Sequence, residues 1–228
     1  MSIYIVNASE GYEKITELMA SALPEQRREQ TDRLKQPSDR TAGVVGAYLV
    51  YYALIKGRPY DRLVYPEPDS LLELQVEVTR LAARLGWPIG GQGKPFPDGV
   101  QINGKHYHIN ISHSEGLIGA AISDTPVGID IQRIPEISTS RLERISSRFH
   151  PLELERLRGL PEGQYASEFC RLWACKESVL KLCGKGLSLP LSSFCITPDD
   201  TCIIDSGPVK TTVYRLPPDA FLAVSVGI

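Results

Sequence analysis

Val100 to Gln132 reads VQINGKHYHINISHSEGLIGAAISDTPVGIDIQ. Asn103-Gly104 sits between two strand-like runs, Val100-Gln101 and Tyr107 to Ile111, and is a strong two-residue hairpin signal. Ser112-His113-Ser114 follows that strand directly. Leu117 to Ile122 is a further apolar strand, Asp124-Thr125-Pro126 is a turn, and Val127 to Gln132 is the next strand. Strands joined by tight turns pair antiparallel, so the stretch argues for an α+β chain and against a doubly wound parallel sheet. In Val127 to Gln132 the side chains alternate. Val127, Ile129 and Ile131 point one way, and Gly128, Asp130 and Gln132 the other.

Downstream, Phe169 to Leu187 reads FCRLWACKESVLKLCGKGL, a helix that Gly184 stops. At a period of 3.6, Leu172, Cys175, Val179 and Leu182 form its core face. Trp173, Glu177 and Lys181 form a second row, and Lys176 lies between the two. A plain surface reading would make Glu177 and Lys181 an i,i+4 ion pair and Trp173 ordinary core. Ser140 to Phe149 and Pro151 to Leu157 are helical in character. Ser193 to Ile196, Thr201 to Ile204, Lys210 to Leu216 and Ala220 to Val226 read as short strands.

Upstream, Ile3 to Val6 is a first strand, and Glu10 to Leu23 a loop and short helix. Pro24 to Arg40 is a charged segment with Arg27, Arg28, Arg33, Lys35 and Arg40. Ser38 or Asp39 can cap a buried helix that runs to Lys56. Arg40 then stands at a positive helix N-terminus, where a cation either meets an anion or reaches out to solvent. Gly57 to Pro68 reads as a loop and Ser70 to Leu85 as one helix. Trp87 to Gly99 is rich in Gly and Pro, with Lys94-Pro95 at its centre.

With 228 residues the chain can form one large domain or two small ones. A join near Asp124 to Val127 divides it almost evenly. A net charge of −2 argues against bulk nucleic-acid binding. No run approaches the ~18 apolar residues of a membrane span, and Met1 to Ala20 lacks a basic-then-apolar leader, so a cytoplasmic protein is expected. The five cysteines are odd in number and form no C-x-x-C, which reads as reduced structural thiols rather than a zinc site.

Asp130 and Gln132 share a strand face beside Gly128. A carboxylate two residues from an amide oxygen suits a hard cation that carries a phosphorylated ligand, although an i,i+2 polar pair on a solvent face is also common. Ser112 or Ser114 with His113 makes no catalytic triad, because neighbouring strand residues point apart and no G-x-S-x-G elbow is present.

The order SHS, GIDIQ, WxxKES and KGLSLPL resembles that of the 4′-phosphopantetheinyl transferases, above all the larger, surfactin-synthetase-activating type, over roughly Arg27 to Phe221. The resemblance implies an α+β chain of two similar halves related by a pseudo-twofold, each with helices on an antiparallel sheet and the active site in the cleft between them. Residues 1–124 would carry the contacts to the adenosine and 3′-phosphate of coenzyme A. Residues 125–228 would carry the magnesium site and the catalytic helix. Asp130 and Glu177 match magnesium ligands. Gln132 stands where the family type has Glu, and offers a neutral oxygen or holds a metal-bound water. Lys176 and Lys181 match lysines on the pyrophosphate. Lys94-Pro95 matches a segment at the adenosine end, Ser112 and His113 a pair at the ribose and 3′-phosphate, and Arg40 an arginine at that phosphate. Arg27 and Arg33 lie in the corresponding basic segment.

The implied activity is that of a holo-[acyl-carrier-protein] synthase type enzyme. Coenzyme A and an apo acyl or peptidyl carrier protein are its substrates, Mg2+ its cofactor, and a monomer its expected state, with no nucleic-acid or membrane partner. The rivals are a non-catalytic coenzyme A or nucleotide sensor, which the Gln at 132 favours, and a magnesium-dependent phosphohydrolase.

Overall fold

The structure is a computed structural model. It describes residues 1–8, 12–57, 62–90, 93–161 and 163–228, and for residues 13, 62 and 187 the backbone alone. Parts of the expected loops at Glu10, Gly57 to Pro68 and Trp87 to Gly99 lie outside the described residues. The chain divides into two compact units, Met1–Thr125 and Pro126–Ile228.

The first unit runs β1 (Ser2–Asn7), α1 (Glu13–Ala22), α2 (Glu25–Asp32), α3 (Pro37–Lys56), β2 (Arg62–Val64), α4 (Pro68–Leu72), α5 (Gln75–Leu85), β3 (Val100–Ile102), β4 (Lys105–Ser114) and β5 (Leu117–Ser123). Its sheet has the order β2-β1-β5-β4-β3. The hairpin expected at Asn103-Gly104 is present, with Ile102 opposite Lys105 and positive φ at both turn residues. Ser112, His113 and Ser114 belong to β4 itself, where they pair with Gly119, Ile118 and Leu117. One pairing departs from the expected antiparallel sheet. β1 and β2 run parallel, which the long crossover through α1, α2 and α3 permits.

Helix α3 is buried along most of its length, from Val44 to Leu54, and packs on the sheet face made by Tyr4, Val6, Ile109, Ile118, Ala120 and Ile122. Pro37 at its first position, rather than a capping Ser38 or Asp39, sets its start. Ser70 to Leu85 is two helices, not one. The Tyr48 hydroxyl donates to Leu71 O at 2.8 Å, taking the carbonyl that a continuous helix would offer to the N–H of Gln75.

The second unit runs β6 (Val127–Arg133), α6 (Thr139–Ser146), α7 (Pro151–Arg158), α8 (Tyr165–Cys183), β7 (Thr201–Ile204), β8 (Gly207–Leu216) and β9 (Ala220–Gly227). Its antiparallel sheet has the order β6-β9-β8-β7. Leu172, Cys175, Val179 and Leu180 of α8 pack on Val209, Phe221 and Ala223. Val127, Ile129, Ile131, Leu222 and Val224, on the sheet's other face, are buried too.

Both units open on a strand, pass through helices that include one long one, and close on a meander whose last strand pairs antiparallel with the first. Ser193 to Ile196 is not a strand. Its backbone is bound by side chains: Lys176 takes Phe194 O, and Glu153 takes Ile196 N–H. All five cysteines are free thiols. Among the described residues no helix is long and apolar enough to cross a membrane.

Candidate active site

The site is built where β6 passes under α8. Gly128 is what lets them approach. A Cβ at that position would lie 2.0 Å from Ser178 O and 2.4 Å from Leu182 N, both backbone atoms of α8. With strand and helix this close, the next residue on the same strand face, Asp130, comes under the turn of α8 that carries Lys181. Below the crossing the Ser178, Ser225 and Thr211 hydroxyls form a buried chain at 2.7 and 2.8 Å. That chain fixes the register of α8 over β9 and β8.

Lys181 Nζ donates to Asp130 Oδ1 at 2.8 Å, with side-chain exposures of 31% and 10%. Glu177, one turn back along α8, is half-buried, and its carboxyl is held above its ordinary range. Burial is the main cause, the negative charge of Asp130 adds to it, and Lys181 opposes both. Lys181 thus pairs with one carboxylate, Asp130, and acts on the second, Glu177, through its charge. Gln132, next on the same face, donates from Nε2 to Arg133 O at 2.9 Å, a bond that leaves Oε1 for another partner. The strand face of Gly128 and Asp130 is therefore covered by α8 and is not the solvent face that is common for an i,i+2 polar pair. Trp173, Glu177 and Lys181 do form one half-exposed row on α8, and Trp173 packs against Phe169 and Phe149 at 5.9 and 6.1 Å.

Lys176 does not join this group. Its side chain is wholly buried, and Nζ donates to Glu153 Oε2 at 2.8 Å, Leu191 O at 2.7 Å and Phe194 O at 2.8 Å. The Phe194 ring lies 4.2 Å from the same nitrogen. All three ammonium donors are taken inside the unit, so in this arrangement Lys176 has none left for the pyrophosphate contact that the resemblance implies. Its partner Glu153 went unnoticed in the sequence. The His150-Pro151-x-Glu153 pattern signals a capping box, which is present, but not the buried lysine.

In the first unit, Arg40 is on the first turn of α3, exposed, and paired with exposed Asp32 at 2.8 Å. Arg27 is half-buried. Its Nη2 donates to Gly43 O at 2.8 Å, and its guanidinium lies over the Trp87 ring. Lys94 follows the 91–92 segment, and its carbonyl accepts from Gly90 N–H at 2.9 Å. Pro95 is buried and bridges Ile89. Ser112 and His113 occupy opposite faces of β4. Ser112 is buried on the face away from α3, and His113 is exposed on the other. His106 and His108, in line with Ser112 on β4, meet edge to face at 4.9 Å.

Residues 126–214 match the sequence model of the 4′-phosphopantetheinyl transferase superfamily. That segment contains Asp130, Gln132, Glu177 and Lys181. Among curated proteins, the chain is 41% identical over 123 residues to the 4′-phosphopantetheinyl transferase gsp of Aneurinibacillus migulanus, covering 54% of this chain and 45% of the relative. It is 38% identical to a 4′-phosphopantetheinyl transferase of Bacillus subtilis, covering 51% and 53%. It is 35% identical to the 4′-phosphopantetheinyl transferase HetI of Nostoc sp., covering 50% and 48%. The chain thus spans about half the length of the curated relatives it matches. Over residues 126–214 the resemblance read from the sequence is borne out.

Proposed function

We propose that the protein transfers the 4′-phosphopantetheine moiety of coenzyme A to a serine hydroxyl of an apo acyl or peptidyl carrier protein and releases 3′,5′-ADP. The observation that carries this reading is the joining of Asp130, Glu177 and Lys181 at the crossing of β6 and α8, within the segment that matches the superfamily. The two-half fold with its site in a cleft belongs to the same proposal, as does a monomeric, cytoplasmic setting.

Asp130, Glu177 and the Gln132 oxygen fit a magnesium ion: all are oxygen donors, and the two carboxylates carry one more negative charge than Lys181 cancels. When bound, that ion neutralises charge on the pyrophosphate. Glu177 takes the proton of the attacking serine. Lys181 places its ammonium on the phosphate oxygens as negative charge shifts to the departing 3′,5′-ADP. Arg40 and His113 take the 3′-phosphate, Ser112 the ribose, and Lys94-Pro95 the adenosine end. The exposed Asp32–Arg40 pair stabilises the fold little, so a phosphate replaces Asp32 at small cost.

The test is to incubate the protein with coenzyme A, magnesium and an apo carrier protein. A gain of one phosphopantetheine on the carrier, with 3′,5′-ADP released, is the expected result. Free phosphopantetheine with an unlabelled carrier means a phosphohydrolase. Coenzyme A binding with no product means a sensor.

A further inference from the structure

The Lys181–Asp130 pair poses a conflict within the site. Asp130 Oδ1 is the oxygen that Lys181 Nζ occupies at 2.8 Å, and it is also a candidate ligand for a divalent cation. A magnesium–oxygen bond of ~2.1 Å on the same carboxylate would bring two positive centres within about 5 Å of one another in a shielded place. Among the described residues, two elements bring charge to this point. β6 supplies Asp130, and α8 supplies Glu177 and Lys181. The other lysines near this end of α8 are committed elsewhere: Lys176 to Glu153, and Lys185 to Asp205 at 3.0 Å.

We propose that Lys181 is the resident counter-ion of Asp130, and that it leaves Asp130 for the phosphates of coenzyme A when a divalent cation takes its place. Lys181 is well placed for such an exchange. It is the more exposed member of the pair, and its four-carbon stem turns without moving α8. Its departure links the two ligands. Coenzyme A, by drawing Lys181 away, frees Asp130 for the cation, and by reciprocity the cation frees Lys181 for coenzyme A. The inference rests on the transferase reading but concerns binding alone.

The experiment uses Mn2+ as probe and measures free Mn2+ by electron paramagnetic resonance, with and without coenzyme A and without carrier protein. Wild type, Lys181→Met, Lys181→Gln and the control Lys185→Met are compared, each checked for native circular dichroism. Without coenzyme A, both Lys181 variants should bind Mn2+ about tenfold tighter than wild type, within the range of ordinary coupling. Lys185→Met should match wild type. With coenzyme A, the advantage of the Lys181 variants should vanish, because wild-type Lys181 has then already left Asp130. Equal or weaker Mn2+ binding by the Lys181 variants overturns the proposal. So does a tightening of the same size with and without coenzyme A, which is the mark of a general charge effect. Absence of Mn2+ binding by wild type in both conditions overturns the magnesium site itself, a separate and recognisable result.

Discussion

The Lys176 ammonium and the Glu153 carboxylate meet at 2.8 Å with both side chains at 0% exposure. The two residues tie three segments together. Lys176 belongs to α8. Glu153 caps α7 by accepting from His150 N–H at 3.0 Å and accepts from Ile196 N–H at 2.7 Å. The carbonyls of Leu191 and Phe194 complete the ammonium's shell. Each polar group has a partner, so the pair is tolerated in the core.

Removing one member leaves the other charged and buried. Lys176→Met should lower unfolding stability by about 3–5 kcal/mol, read from urea denaturation. Lys176→Met combined with Glu153→Gln should recover part of that loss. A folded Lys176→Met protein of undiminished stability would show that the ammonium is not in the core.

Gly128→Ala adds a methyl where Ser178 O and Leu182 N already stand. Both are helix backbone, so neither swings aside. The substitution should cost at least ~3 kcal/mol, the upper end of ordinary overpacking, and should separate Asp130 from Lys181. Thermal melts with coenzyme A binding measure both effects. A Gly128→Ala protein that melts with wild type would contradict the close crossing.

These two cases show how much of the molecule was legible in sequence. The Asn103-Gly104 hairpin, the alternation from Val127 to Gln132 and the row Trp173-Glu177-Lys181 are local patterns, and each appears in the structure. What was missed is set by long-range contacts. Lys176 and Glu153 are 23 positions apart, and only the packed fold shows that they exclude water. Lys176 on its own reads as one more charge on a helix. The Ser193 to Ile196 run has strand-like composition, but Lys176 and Glu153 take its backbone groups before a neighbouring strand does. The break between α4 and α5 depends in the same way on Tyr48, which lies on a different helix.

Glu177 makes stability depend on pH. Its folded-state pKa is raised above the unfolded value, by burial first and Asp130 second. Between those two pKa values the folded protein holds more protons than the unfolded one, so stability falls as pH rises through that window. Above it, the ionised carboxylate remains a cost to the metal-free protein. Glu177→Gln should therefore melt higher than wild type at neutral pH, and the gap should close as pH falls below the ordinary carboxylate range. A gap that is constant with pH, or of opposite sign, would contradict the raised pKa and with it the shielded setting of Glu177.

The proposed transfer of phosphopantetheine depends on Asp130, paired with Lys181 beneath α8. Its most direct test is the intact mass of an apo carrier protein after incubation with coenzyme A, magnesium and either wild type or Asp130→Asn. The substitution keeps the size of the side chain and removes its charge, so circular dichroism should not change. Wild type should add one phosphopantetheine to the carrier, and Asp130→Asn should leave it unmodified at the same time and magnesium concentration. Labelling of the carrier by Asp130→Asn at a near-wild-type rate would contradict the claim.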